Sequence, residues 1–276
     1  MTPSVHKYAV FVAVCGFVLI VAGGLVTSTG SGLAVPDWPL SFGRFFPPMV
    51  GGVFFEHGHR MIAGGVGLLT FVLAIWIWRS KLGRGINILA GWTVAAVLAQ
   101  ALLGGLTVLM HLPSLVSVAH ATLGQTFFTL LVCLAVLTAP VERVRVPPAE
   151  SARLDKLRRM GIMTTIFVYL QLMIGATLRH TGQRWAFHLH LLVAFLVTLH
   201  ILLWGRRILT RYVDAAALER PAQTLLGLLG IQLVLGFYSW KAGWVSITTA
   251  HVAVGALILA VSAVLTLQSY RGLVVV

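Results

Sequence analysis

Eight apolar runs, each close to the length of a membrane span, fill most of this chain, at 8–28, 58–78, 88–109, 115–139, 161–179, 187–205, 222–239 and 247–269. A hydrocarbon environment offers backbone N–H and C=O groups no water, so a run of about 20 apolar residues there folds as a helix that satisfies its own hydrogen bonds. With 58% hydrophobic and 10% charged residues in 276, nothing is left over for a soluble domain. The expected fold class is all-α, a polytopic membrane protein with eight transmembrane helices. The first run is as long as a full span, has only Lys7 as a basic residue ahead of it and meets no small-residue cleavage site, so it is expected to be retained.

Orientation follows from the basic residues. Lys7, the turn with Arg79, Lys81 and Arg84, the segment from Arg143 to Arg159, the cluster from Arg206 to Arg220, and Arg271 fall on one side, giving fifteen of the twenty Lys and Arg residues. That side is expected to be cytoplasmic, with both termini on it. The formal charge of +13 is thus explained by topology and lipid anchoring, and a nucleic-acid partner is excluded for want of a soluble basic domain. Cys15 and Cys133 lie inside spans and read as packing residues rather than as an exported disulfide.

Residues 140–160 form the one long connection on the basic side, charged and broken by Pro147 and Pro148. They divide the chain into an N-terminal four-helix half (1–139), a cytoplasmic linker (140–160) and a C-terminal four-helix half (161–276). The halves repeat one another. His59 and His120 are 61 residues apart, as are His190 and His251, and an offset of 131 also places His57 on His188, Gly105 on Gly236 and Gly124 on Gly255. Gly24 stands beside Gly175 at a slightly larger offset. Two similar units with an even number of spans each predict two pseudo-symmetric four-helix bundles related by an axis along the membrane normal.

Each repeated histidine begins a helix that enters from the side opposite the basic one, so all four belong at one depth near the outer leaflet. An ionisable residue there is costly unless it faces the bundle interior and finds a partner. The four lack the close spacing of a zinc motif. Two imidazoles across a bundle core suit haem iron, which takes four nitrogens from the porphyrin and needs only axial ligands. His59, His120, His190 and His251 are therefore the candidate haem-iron ligands, against the plainer alternative of hydrogen-bonded packing residues, which is the reading for His6, His111, His180 and His200. Ala63, Gly64, Gly65 and Gly67 after His59, and Gly124 after His120, supply small side chains for a flat macrocycle. His57 and His188 sit on a different helix face and read as propionate or supporting partners.

The halves differ at one place that matters chemically. Glu56 precedes His59 by one turn, whereas Phe187 occupies its position in the second half and Leu191 that of Arg60. A carboxylate beside a haem edge can move protons or stabilise a cationic intermediate; alternatively it caps helix amides and pairs with Arg60. The connection 29–55, rich in Gly, Pro and aromatics, is long for a membrane loop. It is expected either to cover the mouth of the first-half site or to lie in the interface as an aromatic belt.

The stretches "TGSGLAVPDWPLSFG", "EHGHRMIAG", "LLGGLTVLMHLPSLVSVAHATLGQ", "HLHLLVAF" and "TTAHVAVG" together resemble the haem A synthase family over nearly the whole chain. That resemblance implies an eight-helix membrane oxidoreductase of a prokaryotic plasma membrane, with haem sites toward the outer face. It oxidises a methyl group of haem O to the formyl group of haem A by successive hydroxylations, for assembly of terminal haem-copper oxidases. It implies that His59 and His120 flank the substrate haem, with Glu56 as the catalytic acid group, and that His190 and His251 ligate a resident haem b. Haem O synthase and oxidase assembly factors are the implied protein partners. Many members carry two cysteines in the first outer loop where this chain has Val35 and Ser41, so here the loop is expected to be held by packing alone. The alternatives are a dihaem b-type membrane electron carrier and a non-catalytic haem-binding protein.

Overall fold

The structure, a computed structural model, describes residues 3–141, 143–212 and 215–275. Eight helices follow in order: α1 (Pro3–Ser28), α2 (Gly52–Arg79), α3 (Arg84–Leu109), α4 (Ser114–Thr138), α5 (Ser151–Thr181), α6 (Arg184–Arg211), α7 (Ala216–Ala242) and α8 (Val245–Arg271). All eight are long and apolar enough to cross a membrane. The chain is therefore a multi-pass membrane protein of the all-α class. Short turns join α3 to α4, α5 to α6 and α7 to α8, whereas residues 29–51 connect α1 to α2; Gly182, at φ 63°, closes α5 in the left-handed conformation that a residue with a side chain adopts only at a cost.

The connection 140–160 is more ordered than its charge and prolines suggest. Val144–Val146 forms a short strand, β1, that pairs in parallel with β2 (Leu273–Val275), with Val144 opposite Leu273. A 3-10 turn, Pro148–Glu150, then leads into α5 at Ser151. The helix begins ten residues ahead of the apolar run because its first turns are amphipathic: Leu154 and Leu157 are fully buried while Arg153 and Lys156 stay exposed. Arg158 fastens the C-terminal strand, donating to the carbonyls of Ser269 (3.2 Å) and Leu273 (3.1 Å) and lying 4.8 Å over the Tyr270 ring.

The helices sort into two compact units, Met1–Ala139 with Leu235–Ala256, and Pro140–Val234 with Leu257–Val276. In the first, α1 packs on α2 and α4, and α3 packs on α2 and α4, which closes a four-helix ring. Its core is built from Val5, Ala9 and Val12 of α1, Leu73 and Ile77 of α2, Ala90 of α3, and Leu131 and Leu134 of α4, all nearly or fully buried. Residues 235–256 join this unit through α8, where Thr249 lies against Gly24 and shares a hydrogen bond with Ser28 (Oγ to Oγ1, 2.9 Å). In the second unit α5 runs beside α6, and the absent side chain of Gly161 leaves room for the fully buried Trp204 and for Thr266. Large apolar residues such as Leu68, Trp92, Leu102 and Phe195 remain on the outside, as expected where the surrounding solvent is hydrocarbon.

Candidate functional site

Each of the four repeated histidines rests on a glycine of the helix before it. A Cβ added at Gly23 would lie 3.1 Å from Cε1 of His59, one at Gly104 3.1 Å from Cε1 of His120, one at Gly175 3.0 Å from Cε1 of His190, and one at Gly236 3.0 Å from Cε1 of His251. Each ring is thus seated with its Cε1 edge on bare backbone. The repeat is finer than the duplication of two halves: four helical hairpins each carry a glycine on the first helix and a histidine on the second. Gly24 and Gly105, which the alignment of the two halves set beside Gly175 and Gly236, are each one residue further along and meet other side chains. Gly24 instead meets Thr249, and a Cβ added at Gly105 would lie 2.8 Å from Cδ2 of the Trp38 indole.

A second group, absent from the sequence reading, accompanies the glycines. Gln100 stands four residues before Gly104, and its Nε2 donates to the carbonyl of His120 at 3.0 Å; Gln171 stands four before Gly175 and donates to the carbonyl of His190 at 3.0 Å. Gln232 precedes Gly236 by the same interval. The signal was a Q-x-x-x-G spacing repeated in α3, α5 and α7. Gly124, expected to line a macrocycle, instead admits Gln100, since a Cβ there would sit 2.6 Å from its Nε2. Gly64 and Gly65, by contrast, have no neighbouring atoms within 4 Å of a Cβ.

The loop between α1 and α2 is fastened by polar contacts, which corrects the expectation that packing alone holds it. Arg60 donates to the carbonyls of Asp37 (2.7 Å), Leu40 (2.9 Å) and Val35 (3.3 Å), and pairs with Glu56 Oε1 at 2.5 Å. Oε2 of Glu56 accepts the N–H of Val35 at 2.9 Å. Ser41 Oγ shares a 2.7 Å hydrogen bond with Nδ1 of His57, and both residues are buried. The two positions where relatives of this type are expected to carry cysteines therefore hold the loop through Glu56 and His57 instead. The loop tip is a tight turn in which Phe42 and Gly43 both take positive φ and Ser41 and Arg44 exchange backbone hydrogen bonds. The N–H groups of Gly43 and Phe42 donate to the Asp37 carboxylate at 2.8 and 2.7 Å and hold its carboxyl below the usual carboxylate range.

Glu56 is buried, with its side chain 4% exposed against 15% for Arg60. It does not cap the amides of its own helix; it ties the loop to α2 while Arg60 balances its charge. His188 is exposed and bonds back to the carbonyl of Arg184 (2.9 Å), so His57 and His188, equivalent by sequence, differ in environment. His6 and His200 have ordinary partners, Ala135 carbonyl and Thr164 hydroxyl. Cys15 and Cys133 are unpaired thiols.

His59 and His120 lie close enough to interact electrostatically. The buried Nδ1 of His59 has no hydrogen-bond partner among the described residues. Among the described residues no three His, Cys, Asp or Glu side chains converge as a metal site would require. Two imidazoles without a third donor, seated on glycines, form the donor set that an iron porphyrin needs for axial ligation and that a four-coordinate metal does not.

Comparison with known proteins identifies the family. The profile of the family described as "Cytochrome oxidase assembly protein" matches residues 50–187, which carry Glu56, His59 and His120. The chain belongs to that family. It is 33% identical over 168 residues to the heme A synthase of Bacillus pumilus, covering 59% of this chain and 55% of that protein. It is also 33% identical over 183 residues to the heme A synthase of Lysinibacillus sphaericus, covering 64% and 59%. The heme A synthase of Shouchella clausii matches at 28% over 241 residues, 85% of this chain and 76% of that protein. The matches to the first two thus span less than two thirds of their length. The expected resemblance to haem A synthases is met at the level of the family.

Proposed function

We propose that this protein is a haem A synthase, an oxidoreductase that converts a methyl group of haem O to the formyl group of haem A by successive hydroxylations. The observation that carries the reading is the pairing of His59 and His120 on glycine seats inside one four-helix unit, one turn from a buried carboxylate. The relatives' names support it over a dihaem electron carrier or a passive haem-binding protein. In this reading His59 and His120 flank the substrate haem, and His190 and His251 hold a resident haem b, which supplies electron transfer when bound. The unequal surroundings of the two pairs support different roles, since only the first has Glu56, Arg60 and a long loop over it.

The chain's own residues then divide the work. Glu56 and Arg60 keep a fixed, mutually neutralised pair of charges at the head of α2 and hold the loop over it, which excludes water and strengthens every electrostatic interaction beneath. Glu56 is the acid group that holds or moves a proton at its carboxylate oxygens. The distribution of basic residues supports a topology with the termini and connection 140–160 in the cytoplasm and the histidines toward the outer face of a prokaryotic plasma membrane. Haem O is the substrate, and haem O synthase and oxidase assembly factors are the partners in this reading.

The test is chromatographic identification of haems from membranes supplied with haem O and containing wild type, Glu56→Gln or Glu56→Ala. Glu56→Gln keeps one acceptor oxygen, enough for the Val35 N–H or for Arg60 but not for both, and has no proton-transfer capacity at physiological pH, so haem A formation should fall by about 100-fold or more while haem O is still bound. Haem A at the wild-type rate from Glu56→Gln removes Glu56 from the chemistry. Wild type yielding only haem b overturns the synthase reading.

A further inference from the structure

The four glycine seats are alike, but the grips beside them are not. A helical carbonyl accepts one N–H from its own helix and has a second lone pair to spare. Gln100 and Gln171 use that lone pair, each bolting the backbone of a histidine to the neighbouring helix at 3.0 Å. Gln171 Nε2 also lies 3.1 Å from Nδ1 of His190. The residue four before Gly23 is Leu19, which donates nothing. His59 therefore has a glycine seat but no glutamine one turn before that glycine to hold the His59 carbonyl.

We propose that Gln100 is a positioning residue that fixes His120, and that His59 is the ligand that releases when the haem substrate enters and leaves. This rests on the reading of His59 and His120 as haem ligands. The site then keeps its tetrapyrrole through one anchored and one yielding histidine, as suits a substrate that must be exchanged, whereas His190 has a glutamine partner, as suits a resident group. Leucine at 19 is not forced by lack of room. Gln171 reaches the His190 carbonyl although the residue four after that histidine is Ala194 and not glycine, and four after His59 stands Ala63, equally small.

The experiment uses purified full-length protein loaded with haem O in membranes and compares wild type with Leu19→Gln, Gln100→Leu and Gln171→Leu. Two readouts need no turnover: the rate of carbon monoxide binding to the reduced protein, and the rate of haem transfer to apomyoglobin, with haem O and haem b distinguished by chromatography. Leu19→Gln should slow carbon monoxide binding and haem O transfer by about 3- to 10-fold, the range of one net hydrogen bond. Gln100→Leu should speed haem O transfer by a similar factor, and Gln171→Leu should speed only haem b transfer. Unchanged haem O transfer in Leu19→Gln overturns the proposal; if that variant does not accumulate, unchanged haem O transfer in Gln100→Leu does so. His59→Ala and His120→Ala proteins that both bind haem O at wild-type stoichiometry and with the wild-type spectrum would show instead that the ligand reading itself has failed.

Discussion

Replacing Arg60 with methionine keeps much of the side-chain volume and removes the one group that reaches three loop carbonyls and Glu56. What is lost is the partner of a nearly buried carboxylate together with charge-assisted bonds to the carbonyls of Val35, Asp37 and Leu40. Breaking such a pair costs about 3–5 kcal/mol. Because the Arg60 side chain retains 15% exposure, the lower end applies. About 3 kcal/mol corresponds to a roughly 150-fold rise in the equilibrium constant for opening the loop. The loss is local, since the four-helix core below is built from other residues. Trypsin cleavage after the exposed Arg44 reads the open population when reclosing is fast. In detergent-solubilised protein the cleavage rate should rise by about 100-fold, and amide exchange at Val35, whose N–H is held by Glu56, should accelerate in step. A change below about 3-fold in both would refute the view that Arg60 closes the loop, because even one net hydrogen bond of ordinary strength would exceed that.

Ser41→Ala removes the bond to His57 and leaves a buried Nδ1 unsatisfied, so the same cleavage should accelerate by about 5- to 100-fold, the cost of an orphaned buried polar group being about 1–3 kcal/mol. Gly104→Val places a branched side chain where a Cβ alone would stand 3.1 Å from the His120 ring; haem content per polypeptide, read as the pyridine haemochrome, should fall several-fold while Gly85→Val, in open space, leaves it unchanged. Asp37 has its folded pKa lowered by the N–H groups of Gly43 and Phe42. Its contribution is therefore fully present above the unfolded value, about 3.9, and is lost as pH falls through the lower folded value. Exchange of the Phe42 and Gly43 amides, corrected for intrinsic rate, should stay protected from pH 5 to 8 and lose protection only below about pH 4, and Asp37→Asn should abolish that step.

The helices were legible because apolar length is a one-dimensional property, yet their ends were not. The apolar run begins at residue 161, whereas α5 starts at Ser151, because helix formation needs buried positions on one face and not a continuous apolar stretch. The histidines were found by matched spacing. The glycines that seat them were not legible, since a one-residue step turns a helix face by about 100° and matching the two halves does not fix which of two adjacent glycines faces the next helix. The polar fastening of the loop was invisible for another reason: Val35, Asp37 and Leu40 take part through backbone atoms, which carry no residue identity.

The sequence by itself determined that the chain crosses a membrane eight times, that its two halves repeat, and that four histidines and one glutamate stand apart from an apolar background. These follow from hydrophobic length and from periodicity, both properties of order along the chain. Only the tertiary structure decided which glycine meets which histidine, that Gln100 and Gln171 grip two of the histidines from a neighbouring helix, and that Glu56 spends both oxygens on Arg60 and the Val35 amide. Those facts depend on helix rotation and on contacts between residues as much as 25 positions apart in the loop clamp, and close packing in three dimensions sets them.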